Sequence, residues 1–155
     1  MAKRYWLMKS EETVYSIHDL EADGTTWWEG VRNYEARNLM RDQMKVGDEV
    51  LFYHSNAKPP GVAGLARVVR EGYPDRFAFD KKSRYFDAKS DPDNPRWVMV
   101  DVEFVESFAG VVSLEEIKAT NTLGKMALVN RARLSVQPLT KEEYQIIRKM
   151  GRAKG

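Results

Sequence analysis

The clearest structural signal in the chain is Trp97-Val-Met-Val-Asp-Val-Glu-Phe-Val-Glu-Ser-Phe108. Valine recurs at every second position from 98 to 102, whereas the carboxylates of Asp101 and Glu103 fall on the opposite parity. Side chains of a β-strand point alternately to its two faces, so a period of two indicates one buried and one solvated face. The segment therefore predicts a long strand with Asp101 and Glu103 on its solvent side.

Shorter apolar segments on both sides of this strand predict its partners. They lie at residues 5–8, 49–54, 61–70 and 133–137. Gly64 predicts a β-bulge inside the third segment, and Pro138 is expected to end the last one. The segments are too scattered for regular βαβ units, which favours a small mixed barrel over a doubly wound sheet.

Helix signals are fewer and stand in the connections and at the end of the chain. Asn33 is a suitable N-cap for a helix over residues 34–44. Ser113-Leu-Glu-Glu116 and Thr140-Lys-Glu-Glu143 are capping boxes, and Ser16-Ile-His-Asp19 could open one helical turn. Residues 73–96 are rich in Pro, Asp and Lys and predict a long, functional surface loop. We therefore expect an α+β fold, a mixed β-barrel of about five to six strands surrounded by helices.

Length and composition limit the domain organisation and the class of protein. With 155 residues, no cysteine and a formal net charge of +2, the chain resembles an ordinary globular protein. We expect one domain over residues 1–150 and a short, basic, flexible tail at residues 151–155. No apolar run fits a signal peptide or a membrane span, so we expect a cytoplasmic protein. The small excess of cations indicates that any nucleic-acid binding depends on a local pocket.

The residues that enzymes and metal sites require do not occur in their usual spacings. His18 and His54 are the two histidines, and they form no metal-binding pair, although a mixed histidine and carboxylate site stays open. On a strand, His54 and Ser55 would point to opposite faces, which makes a poor base and nucleophile pair. There is no nucleophile elbow, phosphate loop or dinucleotide fingerprint. We therefore expect no catalytic residue, no metal and no cofactor.

Three clusters of aromatic and polar residues stand out instead. Trp27-Trp-Glu-Gly-Val-Arg-Asn-Tyr34 either anchors the core or forms a stacking surface at a helix N-terminus, with Arg32 as a donor. Phe52-Tyr-His-Ser-Asn56 suits either a turn or the donors and acceptors that read a base edge. The third cluster, Asn94-Pro-Arg-Trp97, enters the long strand.

Taken in order, these segments resemble the signature blocks of the EVE-domain family. The matching blocks are Tyr5-Trp-Leu-Met-Lys-Ser10, Tyr15-Ser-Ile17, Trp28-Glu-Gly-Val-Arg-Asn-Tyr-Glu-Ala-Arg-Asn38, Gly47-Asp48, Phe52-Tyr-His-Ser-Asn56, Arg96-Trp-Val-Met-Val100 and Arg133-Leu-Ser-Val-Gln-Pro138. They extend over nearly the whole chain. The resemblance implies a PUA-like fold that is related to the nucleic-acid-binding YTH and ASCH domains.

The resemblance also implies a function in reading modified DNA bases, such as 5-methylcytosine and 5-hydroxymethylcytosine. The base is expected to be flipped into a pocket with an aromatic wall. The pocket residues that the resemblance implies are Lys9, Ser10, Trp28, Arg32, Asn33, Tyr53, His54, Ser55, Arg96, Trp97 and Ser135. The chain departs from the family pattern at Glu12, where proline is usual, at His18, where aspartate is usual, and at Trp27, which is an extra aromatic residue.

Three classes of function stay open, and the first is favoured. The first is a non-catalytic module that binds a modified base in DNA. The second is an RNA-binding module, because PUA and YTH relatives bind RNA. The third is an enzyme or a small-molecule binder that uses the same pocket. We expect nucleic acid as the partner, no membrane, and a monomer, because the chain has no heptad seam.

Overall fold

The computed structural model of the chain describes residues 3–131 and 133–155. Its strands are β1 (Tyr5–Glu11), β2 (Thr25–Trp27), β3 (Glu49–Ser55), β4 (Gly61–Pro74), β5 (Val98–Ser113) and β6 (Val136–Leu139). Its α-helices are α1 (Ile17–Asp23), α2 (Tyr34–Asp42), α3 (Leu114–Lys118), α4 (Ala127–Asn130) and α5 (Lys141–Arg152). Short 3₁₀ helices occur at Arg76–Phe79 and Asn121–Leu123. Within the described ranges, no helix is long and apolar enough to cross a membrane.

The fold is α+β, as expected, and its six strands form one mixed sheet in the order β2-β5-β4-β3-β1-β6. β1 pairs in parallel with β3, and the other neighbouring strands pair in antiparallel fashion. In the described residues the end strands β2 and β6 do not pair with each other. The sheet is therefore open, and the expected closed barrel is wrong. Closure requires the two end strands to pair, and these are only three and four residues long.

The strand expected at residues 97–108 is one of the two long strands of the sheet. β5 extends over sixteen residues and pairs with β4 along most of its length. The register of this pair shifts between Val62 and Gly64, which confirms the predicted bulge. Asp101 and Glu103 are partly exposed and contact Tyr and Arg side chains of β4.

The sheet has a hydrophobic core on each face, and the alternation along β3 divides its residues between them. Phe52 packs in the core that α1 and α2 cover, whereas Tyr53 packs in the core that α5 covers with Tyr144 and Ile147. Neighbouring residues of one strand therefore serve opposite faces of the sheet.

The predicted helix starts are confirmed by their caps. The side chain of Asn33 accepts the N–H of Ala36 at 2.9 Å and opens α2. Ser113 and Thr140 each form a complete capping box, at the starts of α3 and α5. The expected single turn after Ser16 is a seven-residue helix with a capping box of its own.

The carboxyl-terminal elements differ in their bounds from the expectation. β6 begins three residues later than the strand expected at residues 133–137 and includes Pro138. An edge strand tolerates proline, because its outer side needs no N–H donor. α5 continues to Arg152, and Gly151 is buried against Phe108, so helical structure extends into the expected tail. The expected domain boundary stays a prediction, and the first two residues of that domain lie outside the described ranges.

Candidate functional site

A cleft of about 1010 Å³ opens at the end of the sheet where β1 and β3 finish and the chain leaves β2. Its lining comes from residues 9–11, 14–15, 25–31, 55–56 and 84–85, together with Asp23, Arg133 and Ser135. These segments are distant in sequence, and the sheet order brings them together.

Two consecutive tryptophans lie at the end of β2, Trp27 as its last residue and Trp28 just after it, and their surroundings differ. Trp28 is only 8 % exposed, and its indole meets Phe52 edge to face with ring centroids 5.4 Å apart. Trp27 is 45 % exposed, and its Nε1–H donates to Glu29 at 2.6 Å. Trp28 is therefore mainly a core residue with a small surface at the cleft, whereas Trp27 presents an aromatic surface to a ligand.

Because Gly30 has no side chain, the loop between β4 and β5 closely approaches the wall of the cleft that Trp27 and Trp28 form. The φ of Gly30 is +78°, and a Cβ there would lie 2.4 Å from the Tyr85 ring, so only glycine fits. The Gly30 N–H donates to the buried carboxylate of Asp75 at 3.0 Å. Arg32 donates to the same carboxylate oxygen at 3.0 Å and to the backbone oxygen of Tyr85 at 2.6 Å. The Asp75–Arg32 pair therefore holds Tyr85 beside the cleft. The Arg32 guanidinium already donates to these protein acceptors, so it is not the free donor for a ligand that its sequence position suggested.

The opposite wall is polar and is ordered by its own hydrogen bonds. Ser10 Oγ donates to the backbone oxygen of Tyr15 at 2.7 Å, and the Tyr15 hydroxyl donates to Asp23 Oδ2 at 2.8 Å. Burial, to which the Asp23 carboxylate adds, raises the pKa of Tyr15 to about 12. The phenol stays protonated at neutral pH, and this wall offers a hydroxyl oxygen and a carboxylate to a ligand.

Charged side chains of both signs line the cleft, and they differ in how they are paired. Its acidic side chains are Glu11, Asp23 and Glu29, and each accepts a hydrogen bond from a neighbouring side chain. Arg84 and Arg133 have no carboxylate within ion-pair distance among the residues that the structure describes. Arg84 lies 5.2 Å from the Tyr85 ring centroid. In the same described residues, no group of three or more His, Cys, Asp or Glu could hold a metal ion.

The structure places the expected pocket residues in three different surroundings. Those that line the cleft are Lys9, Ser10, Trp28, Ser55 and Ser135. Tyr53 and His54 are buried outside the lining, and Arg32, Asn33, Arg96 and Trp97 lie around the loop between β4 and β5 and the start of α2. The base-binding role of all of them stays a prediction.

Tyr53 and His54 are engaged with their own protein neighbours. Burial raises the pKa of Tyr53, and its ring lies 5.7 Å from Nζ of Lys9. The Nε2 atom of His54 accepts the N–H of Ile17 at 3.0 Å, and its Nδ1 atom lies 3.2 Å from the Glu12 carboxylate. Burial lowers the pKa of His54, so its imidazole is neutral and caps the first residue of α1.

Trp97 organises an aromatic cluster next to the cleft. Its ring stacks on Tyr34 with centroids 5.0 Å apart, and its Nε1–H donates to Asp87 at 2.7 Å. Arg96 lies 3.5 Å from the same carboxylate, and Asn33 serves as the cap of α2. These residues fasten the loop between β4 and β5 to α2, which is a structural role that the sequence did not suggest.

Much of the aromatic and cationic surface of the cleft comes from residues that were not expected there. Arg84 and Tyr85 lie in the loop at residues 73–96, and its composition was the available signal. Tyr15 and Arg133 belong to segments that match the family, so the resemblance held a signal for them.

The EVE domain family profile matches residues 4–150. The chain belongs to the EVE-domain family. This membership confirms the resemblance on which the expected fold and pocket were based. Human thymocyte nuclear protein 1 is 45 % identical over 162 residues, which cover 92 % of this chain and 72 % of that protein.

Solved structures share the fold of this EVE domain over nearly its whole length. A hypothetical protein from Leishmania major has a TM-score of 0.95 at 53 % identity and covers 98 % of this chain and 96 % of its own. Human THYN1, in complex with 5-methylcytosine containing DNA, has a TM-score of 0.89 at 44 % identity and covers 96 % and 98 %. The YTH domain of Zygosaccharomyces rouxii MRB1, in complex with N6-methyladenosine RNA, has a TM-score of 0.58 at 14 % identity and covers 99 % and 89 %. This last likeness is one of fold alone.

Proposed function

We propose that this EVE domain binds a modified cytosine of DNA, of the 5-methyl or 5-hydroxymethyl type, with the base flipped into the cleft. The observation that supports it best is the cleft itself, which brings aromatic side chains, acceptor groups and arginines together. The proposal is also supported by the 44 % identity with human THYN1, whose structure holds 5-methylcytosine containing DNA.

The size and aromatic character of the cleft suit a nucleotide. Ligand pockets of roughly 300–1,000 Å³ accept drug-sized molecules, and this cleft has a volume of about 1010 Å³. The Tyr85 ring contributes to its lining, and the exposed Trp27 indole stands at its rim. A base stacked on an aromatic side chain gains about 1–3 kcal/mol, which offsets much of the cost of taking a base out of the duplex.

The polar groups of the cleft suit the amino-bearing edge of cytosine. Cytosine carries an N4 amino donor, which carboxylates accept, and Asp23 and Glu29 place carboxylates in the lining. The methyl group supplies a modest selectivity, because one extra methylene in an apolar pocket is worth about 1–3 kcal/mol. We therefore expect a modified base to be preferred by a factor between ten and 200.

The cations of the cleft suit the phosphates next to the base. Arg84 and Arg133 line it and have no carboxylate partner in the described parts of the chain. With a formal net charge of only +2, the protein has a weak general attraction for duplex DNA. Flipping costs least in single-stranded or mismatched sites, so we expect tighter binding there than to perfect duplex.

We infer binding without catalysis, by a single copy of the chain. The Nε2 lone pair of His54 is used by the Ile17 N–H, so this imidazole offers no base to a substrate. The expected monomer and the expected cytoplasmic location stay predictions.

The test is equilibrium binding by fluorescence anisotropy to matched oligonucleotides. The panel carries cytosine, 5-methylcytosine, 5-hydroxymethylcytosine, adenine or N6-methyladenine at one position, in both DNA and RNA. We expect a preference of at least tenfold for a modified cytosine in DNA, which is about 1.4 kcal/mol. Equal affinity for modified and unmodified cytosine would contradict the proposal, and tighter binding of the RNA series would favour the RNA-binding alternative.

A variant that fills the cleft tests whether the preferred oligonucleotide binds there. Ser55 lines the cleft at the end of β3, so Ser55→Trp fills it with an indole and should reduce binding of the preferred oligonucleotide at least tenfold. Ser107→Trp is the matched control, because Ser107 is a partly exposed strand residue of β5 that lies outside the cleft lining. Equal oligonucleotide binding by both variants would show that the base does not bind in this cleft.

A further inference from the structure

Trp27 stands at the rim of the cleft with far more exposed surface than the tryptophans around it. It is 45 % exposed, whereas Trp28 and Trp97 are 8 % and 6 % exposed. Trp27 ends the edge strand β2, where it lies opposite Asp101 of β5. Successive side chains in an extended chain point to opposite sides, so Trp28 packs in the core whereas Trp27 points away from it.

The indole of Trp27 is held in a fixed orientation. Its Nε1–H donates to Glu29 at 2.6 Å, and its ring stacks on Phe77 with centroids 6.1 Å apart and planes inclined by 28°. A large aromatic surface that is ordered before binding loses little conformational entropy when a ligand stacks on it. An exposed but ordered indole is therefore suited to recognition.

Arg76 lies beside this indole and has no acidic partner among the residues that the structure describes. Its guanidinium lies 4.7 Å from the Trp27 ring centroid and 4.7 Å from that of Phe77. No carboxylate of the described residues lies within ion-pair distance of Arg76, whereas Arg67 and Arg152 on other surfaces are paired with Glu103 and Glu106. The Arg76 charge is thus available to a phosphate.

We infer that Trp27 and Arg76 form a second nucleotide position, at the rim of the cleft, for the neighbour of the flipped base. The neighbouring base stacks on the exposed indole, and the phosphate that joins the two nucleotides meets Arg76. This inference rests on the proposed function, because it assumes that a base occupies the cleft. Every base has a π face, so this position adds affinity without selecting the identity of the neighbour.

The test is a double-mutant cycle between the protein and the oligonucleotide. Single-stranded DNA with 5-methylcytosine is compared with strands that carry an abasic residue immediately 5′ or 3′ of it. In the unchanged protein, one of the two abasic strands should bind about tenfold more weakly. In Trp27→Ala, the intact strand should bind about tenfold more weakly, and the abasic substitution should cost no more than twofold.

Substitution of a second exposed aromatic residue controls for the general effect of losing aromatic surface. Tyr34 is also exposed (53 %), stacks on Trp97, and has the Arg37 guanidinium 4.9 Å from its ring, but it lies outside the cleft lining. Tyr34→Ala should keep the full abasic penalty. A thermal melt of each variant establishes that it is folded, and Trp27→Phe should restore part of the penalty.

The outcomes separate the second position from the proposed function. An equal abasic penalty in Trp27→Ala and in the unchanged protein would overturn the second position, whatever the preference for 5-methylcytosine. Loss of the penalty with a retained ratio of affinities for 5-methylcytosine and cytosine strands would support it. If the unchanged protein does not distinguish these two strands, the proposed function fails, and the abasic cycle on the cytosine strand still decides the role of Trp27. Absence of binding to any strand would overturn both.

Discussion

A single residue, Asp75, connects the cleft with the loop between β4 and β5. Its side chain is fully buried and accepts hydrogen bonds from the Gly30 N–H and from Arg32, and it also caps the 3₁₀ helix through Phe77. A buried carboxylate requires such partners, because an unpaired charge away from water is strongly unfavourable. The position of Tyr85 at the cleft depends on this pair, since Arg32 also donates to the Tyr85 backbone oxygen.

Substitution of Gly30 tests whether the position of Tyr85 depends on their close approach. Gly30→Ala introduces a Cβ that would lie 2.4 Å from the Tyr85 ring, at a φ of +78°. The matched control is Gly47→Ala, which also has a positive φ, of +95°, but whose Cβ would meet no described atom within 4 Å apart from its own chain neighbours. Both variants should lose about 1 kcal/mol or more of unfolding free energy through backbone strain.

Gly30→Ala should lose more stability than Gly47→Ala, and it alone should weaken oligonucleotide binding, because Tyr85 must move. Urea unfolding and anisotropy on the same samples measure the two effects. Equal stability and equal binding in the two variants would show that Tyr85 does not depend on the close approach of Gly30.

At the element scale, the contact between β3 and α1 places one wall of the cleft. His54 on β3 accepts the N–H of Ile17, which is the first residue of α1 and has no partner within the helix. α1 in turn carries Asp23, and Tyr15 precedes its N-cap, so both wall residues depend on this helix start. A protonated imidazole loses the Nε2 lone pair and with it this hydrogen bond.

This contact predicts an acid-sensitive stability. Burial lowers the pKa of His54, with the nearby Glu12 acting in the opposite direction. As the pH falls, His54 is therefore protonated in the unfolded chain, at an ordinary pKa of about 6.5, before it is protonated in the folded protein. The contribution of His54 is fully present above that value, and the unfolding free energy should fall as the pH drops below about 6.5 towards the lowered folded pKa.

Thermal unfolding between pH 8 and pH 5 tests this sign. His54→Gln keeps an acceptor oxygen but does not titrate, so its melting temperature should depend less on pH than that of the unchanged protein. His18→Gln is the control, because His18 is exposed and lies 3.8 Å from Glu21 on the same helix. A His18→Gln profile flattened as much as that of His54→Gln would assign the pH dependence to other groups.

At the scale of the whole molecule, the distribution of charge matters more than its sum. The net charge of +2 hides a division between arginines that are paired with carboxylates and arginines that are not. Arg131 is paired with Glu35 at 2.6 Å, whereas Arg133, two residues further on, lines the cleft without a carboxylate partner in the described chain. The cleft therefore carries arginine charge that no carboxylate of the described residues compensates, although the net charge of the chain is small.

The salt dependence of binding tests this division. Arg133→Gln should lower the slope of log K against log salt by about 0.7 for single-stranded DNA, because one phosphate contact is lost. Arg131→Gln changes the net charge by the same amount and should leave the slope unchanged. Equal slopes in the two variants, measured by anisotropy between 50 and 200 mM salt, would indicate a general charge effect.

The local sequence was sufficient to predict the elements that depend on interactions between residues close together in the chain. The alternation of valines in β5, the bulge at Gly64 and the caps at Asn33, Ser113 and Thr140 are confirmed, because each depends on residues within a few positions of one another. β2 and α4 were not predicted, since three and four residues are too few to carry a period.

Patterns of residues along the chain were enough to identify the family, the α+β class, the long strand and the places where helices begin. Which side chains meet at the cleft depends on contacts between distant parts of the chain. Arg32 turns inward because Asp75 is buried beside it, and Tyr85 reaches the cleft because Gly30 has no side chain. These contacts join residues more than forty positions apart, and the order of strands in the sheet brings them together. The open sheet was decided in the same way, because pairing between end strands depends on the arrangement of all the strands between them.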